Sequence, residues 1–271
     1  MRTETCRQKA GTRHVIIHGD SWPMVSATEH MVKAVLPGSR CETSSGPVSL
    51  LQQLARAPDA SLILCLRPRE HIFLFCALKN ALLSHPALII SDEMMFSDRV
   101  VLDSWGDLPF ILHHELAGAI TRIQQYDRNH DKKESRTDRI SRLDLIKGRL
   151  ADFLSDPKPA TGFFAVPAVF TTRKRLMNYM ALLMYRATVR CGVSPAQQKL
   201  LQEVYRGQHS LSELKHVLDK DEKKIWQDKN RLLIKLGMRN RLRELLYGTR
   251  FCESVQRTPF MAPEDGRQPY P

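Results

Sequence analysis

Apolar positions in the first 125 residues recur with two different periods, and each period asks for a different element. His14–Ile17 is β-branched and strand-like, and Pro23–Leu36 reads as a helix with Pro23 in its first turn. Cys41–Ser44 is a short strand, followed by a helix over Val48–Arg56. Ser61–Leu66 is a continuous apolar run, the pattern of a strand buried on both faces. A helix over 71–83, a strand over Ala87–Ser91, a helix over 97–105, a strand over Leu108–Leu112 and a helix over Glu115–Gln125 complete the series. Five strands alternating with five helices predict an α/β domain with a parallel sheet over residues 1–125.

The pattern changes after residue 125. Tyr126–Arg142 is dense in both charge signs and nearly free of large apolar groups, so residues 126–170 read as a linker, although Leu143–Leu154 regains some helical periodicity. Residues 171–250 read as helical, beginning with Thr171–Cys191, whose Met and Leu residues fall at packing positions. From residue 251 to 271 large apolar residues are few, and Cys252–Pro271 holds four prolines, the composition of a disordered tail.

Residues 194–247 carry the most specific pattern. Ser194-Pro-Ala-Gln197 and Ser210-Leu-Ser-Glu213 are capping boxes. The first opens a helix with Leu200, Leu201, Val204 and Tyr205 on one face, ended by Gly207; the second opens a short helix with Leu211, Leu214, Val217 and Leu218. Asp219-Lys-Asp221 makes a turn, with Asp221 placed to cap a third helix. In that helix Ile225, Leu232, Leu233 and Leu236 form one buried stripe, and Gly237 ends it. The opposite face carries Lys223, Gln227, Asn230, Arg231 and Ile234, with Trp226 on one flank and Lys229 near the edge of the stripe. Lys, Arg, Gln and Asn bond base edges and phosphates in a major groove, so this is the grammar of a helix-turn-helix that reads DNA.

Charge supports that reading. The net charge is +12, yet residues 1–125 hold 12 Lys and Arg against 12 Asp and Glu, so the whole excess lies in residues 126–271, with 29 against 17. A basic half suits a polyanion partner. The six cysteines (Cys6, Cys41, Cys65, Cys76, Cys191, Cys252) form no CxxC pair and read as reduced structural thiols. His113-His114-Glu115 is the one group suggestive of metal, but neighbours in an extended segment point to opposite faces. No phosphate-binding glycine loop, HExxH or nucleophile–base pair stands out, so neither an enzyme nor a cofactor is expected. No apolar run approaches the roughly 20 residues of a membrane span, and the polar start resembles no secretory signal, so the cytoplasm is the expected location.

Residues 193–247 resemble the LuxR-type helix-turn-helix domain. Val193-Ser-Pro195 stands where that family opens with Leu-Thr-Pro, Leu211-Ser-x-Glu-Leu214 resembles its scaffold helix, and Ile225, Lys235-Leu-Gly-Met238 and Arg239-Asn-Arg241 resemble its recognition helix and the turn after it. Two departures bear on base preference: the family's glycine before the turn is replaced by Leu218-Asp219, and Trp226 stands where a small or basic residue is usual. The resemblance implies Trp226, Gln227 and Asn230 near bases, with Lys223, Lys224, Lys229 and Arg231 near phosphates.

With the α/β domain in front, the whole resembles NarL/FixJ-type response regulators, which implies a flavodoxin-like receiver at residues 1–125. In that comparison Asp20 survives from the receiver's acidic pocket and Ser21 replaces its neighbour. Cys65 stands at the phosphoacceptor position, His113 at that of the strand-5 lysine, and Ser91 near the usual Ser or Thr. Aspartyl phosphorylation needs a carboxylate and hard oxygen ligands for Mg²⁺, so the reading is a pseudo-receiver that serves dimerisation or partner docking. The rival reading of Cys65 as a redox switch requires access, which a mid-run position opposes. The expected protein is a transcription regulator that binds double-stranded DNA as a homodimer or as a heterodimer with another LuxR-type regulator, akin to Rcs-type auxiliary regulators. The alternative is a co-regulator that acts on a partner transcription factor or RNA polymerase without reading bases, a role suggested by Trp226 and Ile234 beside the reading face.

Overall fold

The computed structural model describes residues 13–116, 149–166, 170–207, 210–239 and 242–261. Its strands are β1 (His14–Gly19), β2 (Arg40–Ser44), β3 (Ser61–Cys65), β4 (Ala87–Ser91) and β5 (Phe110–Leu112), and they form one sheet in the order β2-β1-β3-β4-β5. β1 pairs in parallel with β2 and β3, and β3 with β4, with Val15 beside Ser61 and Gly19 beside Cys65. This is the flavodoxin-like order, as the periodicity and the resemblance together predict. α1 (Trp22–Val35), α2 (Pro47–Arg56), α3 (Ile72–Ala77), α4 (Lys79–Ser84) and α5 (Phe96–Ser104) intervene. The single helix expected over 71–83 is broken: a 3-10 turn at Pro68–Glu70 leads into α3, and α4 follows as a separate turn.

The contacts group into two compact units. The first holds residues 1–66, 81–90 and 110–159. Its core joins Val15, Ile17, Val25, Val32, Ile63, Cys65, Leu88, Ile90 and Ile111. Leu150 and Leu154 belong to the same core, from helical residues 149–155. Part of the segment read as linker therefore completes this core; its sparse apolar positions show what is buried but not against what. The helix expected at Glu115–Gln125 is seen only over residues 113–116, and residues 117–148 lie outside the described set.

The second unit holds residues 67–80, 91–109 and 160–271. It contains α6 (Arg173–Arg190), α7 (Pro195–Tyr205), α8 (Leu211–Leu218), α9 (Glu222–Lys235) and α10 (Leu242–Gly248). Trp105 is fully buried, its ring 5.6 Å from that of Phe75. Trp105 also forms an isolated antiparallel bridge with Phe164. Beside it Gly162 N donates to Gly106 O at 3.1 Å, and a Cβ on Gly162 would lie 2.5 Å from that backbone, so only glycine permits the approach. The tail expected to be disordered from residue 251 is ordered through Met261: Glu253–Val255 form a 3-10 turn and Thr258 is buried. Residues 262–271 lie outside the described set. Among the described residues no helix is long and apolar enough to cross a membrane.

Candidate functional site

Three helices build the predicted reading head, and the capping boxes of the first two form as written in the sequence. Ser194 Oγ accepts from Gln197 N at 3.3 Å, and Gln197 Oε1 accepts from Ser194 N at 3.0 Å. Ser210 and Glu213 repeat the exchange at 3.1 and 3.0 Å. Leu200, Val204, Leu214 and Ile225 are buried together, with Leu211, Leu218 and Leu246 packed against them. The turn between α8 and α9 needs a left-handed residue, and Asp219 supplies it at φ 49°, ψ 50°. Asp is among the few non-glycine residues that visit this region readily, which is why the missing glycine leaves the turn intact. Asp221 occupies the N-cap position, but its carboxylate makes no capping hydrogen bond, contrary to the expectation for it.

The stripe of α9 is buried as predicted: Ile225, Leu232, Leu233 and Leu236 all lie inside. The other face is turned outward. Lys223, Lys224, Trp226 and Arg231 are exposed, and Gln227, Lys229 and Asn230 are half-buried. None of these seven side chains makes a hydrogen bond or ion pair among the described residues. Their polar groups are therefore available to a ligand. Two apolar side chains interrupt this face, Trp226 at 50% and Ile234 at 79% exposure.

Long-range polar contacts fix the angle of α9, and these were not visible in the sequence. Lys220 Nζ pairs with Asp228 Oδ2 at 2.8 Å, and Gln197 Nε2 donates to Asp228 O at 3.1 Å. Lys235 donates to Gly192 O and, at 3.1 Å, to Gln197 Oε1. Arg99, on α5, donates to Leu236 O at 2.6 Å, satisfying a carbonyl that the end of a helix leaves without a partner. These groups position the outward face of α9 without belonging to it. The only signal for them in the sequence is a charged residue beside an apolar stripe.

The second candidate group lies at the carboxyl edge of the sheet. Asp20 and Ser21 follow β1, Cys65 ends β3, and His113 follows β5. Asp20 is exposed, Ser21 and His113 are half-buried, and His113 and His114 begin a helical turn rather than continue the strand. Cys65 is buried beside Gly19, with Thr28 Oγ1 3.3 Å from its Sγ. Burial pushes its thiol up to about 11, against the opposing effect of the Thr28 hydrogen bond. The donors here are one carboxylate, a hydroxyl, an imidazole and a protonated thiol. Mg²⁺ asks for several hard oxygens, so this set does not fit it.

Because folding favours the protonated thiol, the stability it contributes is present below pH 9 and is lost as pH rises toward 11. A rise of this size leaves roughly one hundredth of the usual thiolate at pH 8, and the thiolate is the nucleophile. Iodoacetamide is therefore expected to alkylate Cys65 at least about 100-fold more slowly than exposed Cys191, as followed by peptide mass spectrometry of the native protein. Comparable rates would restore the redox reading.

No family model matches the chain, and no curated protein is similar to it in sequence. Solved structures are similar in fold. The response regulator RcsB in complex with DNA superposes with a TM-score of 0.51 at 15% identity, covering 87% of this chain and 97% of that one. RcsB from Salmonella enterica serovar Typhimurium bound to promoter rprA gives 0.46 at 18% identity, covering 87% and 97%. The first superposition shows a shared fold: a five-stranded parallel sheet in the order 2-1-3-4-5 followed by a helical C-terminal region.

Proposed function

We propose that this protein is a sequence-specific DNA-binding transcription regulator whose α/β part is not switched by aspartyl phosphorylation. The observation that carries the proposal is the outward face of α9. It presents Gln227 and Asn230, able to bond base edges, among Lys223, Lys224, Lys229 and Arg231, able to bond phosphates, with all six uncommitted among the described residues. The excess of positive charge in the same half of the chain supports it. So does the fold shared with RcsB, a protein solved on DNA. The reading implies action at DNA in the cytoplasm, as a homodimer or beside a second LuxR-type regulator.

The loss of receiver chemistry follows from the donor set. Cys65 offers no carboxylate to phosphorylate, and its thiol is protonated and buried. Control then falls to abundance or to a partner. One observation favours a second reading: exposed Trp226 and Ile234 suit a protein contact, as in a co-regulator that acts on a partner regulator or RNA polymerase without reading bases.

A gel-shift titration on promoter fragments separates the two. Site-selective binding is expected, and Gln227→Ala with Asn230→Ala should abolish the selectivity, since each base-edge contact discriminates by about 1–3 kcal/mol. Selectivity left intact in the double variant would sink the base-reading assignment.

A further inference from the structure

Past α10 the chain does not leave the fold. From Cys252 to Met261 it runs along the 3-10 turn at Pro68–Glu70 and the first turn of α3, within one compact unit. Gln256 reads both polarities of the main chain there: its Oε1 accepts from Ile72 N at 2.9 Å, and its Nε2 donates to Arg69 O at 2.8 Å. Ile72 N is the first amide of α3, which no side chain at His71 caps, so Gln256 completes that helix start. Arg257 N donates to Glu70 O at 2.8 Å, and its guanidinium pairs with the Glu70 carboxylate at 2.8 Å. Thr258 Oγ1 lies 3.0 Å from His71 Nδ1, with both side chains buried. Phe260 meets Phe73 edge to face, centroids 5.5 Å apart.

Main-chain bonds combined with an ordered series of side-chain contacts are the way an extended peptide is read by a folded surface. We propose that the 3-10 turn and the first turn of α3 form a peptide-docking site, and that its resident ligand is this chain's own segment Cys252–Met261, acting as a releasable clasp. The ligand class is an extended segment presenting an amide, a cation, a hydroxyl and an aromatic ring in the order Gln256, Arg257, Thr258 and Phe260. The clasp begins only a few residues beyond α10, which is also tied to this part of the unit by Arg243 to Glu93 at 2.8 Å and Ser97 to Tyr247 O at 2.8 Å. Among the described residues no hydrogen bond or ion pair links it to the seven predicted DNA-contacting residues, so its polar contacts restrain the helix bundle without engaging the outward face of α9. A few hydrogen bonds, one ring contact and two ion pairs with solvent-exposed arginines, Arg257 to Glu70 and Arg173 to Glu253, are weak enough to open locally, while a short tether keeps the ligand near millimolar effective concentration.

Hydrogen–deuterium exchange on the full chain tests it. In the variant Gln256→Ala/Arg257→Ala/Phe260→Ala, amides of residues 68–75 and 252–261 are expected to exchange at least about tenfold faster, while those of β1 and β3 keep their protection and report an intact fold. A synthetic peptide spanning residues 252–261, added at about millimolar concentration to match the tether, is expected to restore protection over residues 68–75. Wild-type amides over 252–261 that exchange like a free peptide, a variant with unchanged protection over 68–75, or a peptide without effect would each overturn the proposal.

Discussion

Arg69→Ala is expected to destabilise the fold by about 3–5 kcal/mol, the cost typical of removing one partner from a buried ion pair. Arg69 is 4% exposed and Asp98 is fully buried. The Asp98 carboxylate accepts from Arg69 Nη1 at 2.6 Å, from Arg69 N at 2.9 Å and from Met95 N at 2.8 Å. The last of these bonds closes the first turn of α5. The same guanidinium reaches Glu70 and Glu93. Alanine would leave the backbone donors in place but strand the carboxylate's charge without a counter-ion in a dry site, and several kcal/mol follow from that rather than from lost packing. Urea denaturation measures it as a shift in midpoint at constant slope. Arg69→Met combined with Asp98→Asn removes both charges and keeps an acceptor for Met95 N, so the pair should cost less than the sum of the single changes. A single-variant loss below about 1 kcal/mol would show that water reaches the site and screens the charge.

That pair also marks the limit of what the sequence displays. β3 was legible because an unbroken run from Ser61 to Leu66 has no other economical use, and α7 and α8 because Ser194 with Gln197, and Ser210 with Glu213, are local devices that work at fixed spacing. The buried stripe of α9 was legible for the same reason, since helical periodicity names the inner face directly. Arg69 and Asp98, 29 residues apart, carry no such local signal: each alone reads as a surface charge. Gln256, Arg257 and Thr258 are polar residues near prolines, and what orders them is a partner surface near residue 70 that no local pattern reveals. Leu150 and Leu154 are the intermediate case, where periodicity survives within a charged stretch but the core they enter is more than 50 residues away in β3. At the candidate site, residue types on the outward face of α9 were legible, while the groups that aim it, Arg99 and Asp228, depend on tertiary contact.

Removing the charges proposed to face phosphates should separate the two functional readings by a margin larger than any base-edge change. In Lys223→Ala/Lys224→Ala/Arg231→Ala, three exposed cations of α9 are lost without disturbing a hydrogen bond or ion pair among the described residues. If each neutralises one phosphate, log K should depend on log salt with a slope smaller by roughly 2.7, and affinity at about 0.1 M salt should fall by roughly 10²–10³-fold. The fall should be similar for every DNA sequence, because phosphate contacts position the protein without reading bases. Stability should change little, since exposed and unpaired charges add little to folding. Fluorescence anisotropy across a salt series gives slope and affinity together, with urea unfolding as the control for the fold. A variant that binds DNA with the wild-type slope would place the polyanion contact elsewhere on the basic half of the chain. Together with unbroken site selectivity in Gln227→Ala/Asn230→Ala, it would leave the outward face of α9, with Trp226 and Ile234, to a protein partner.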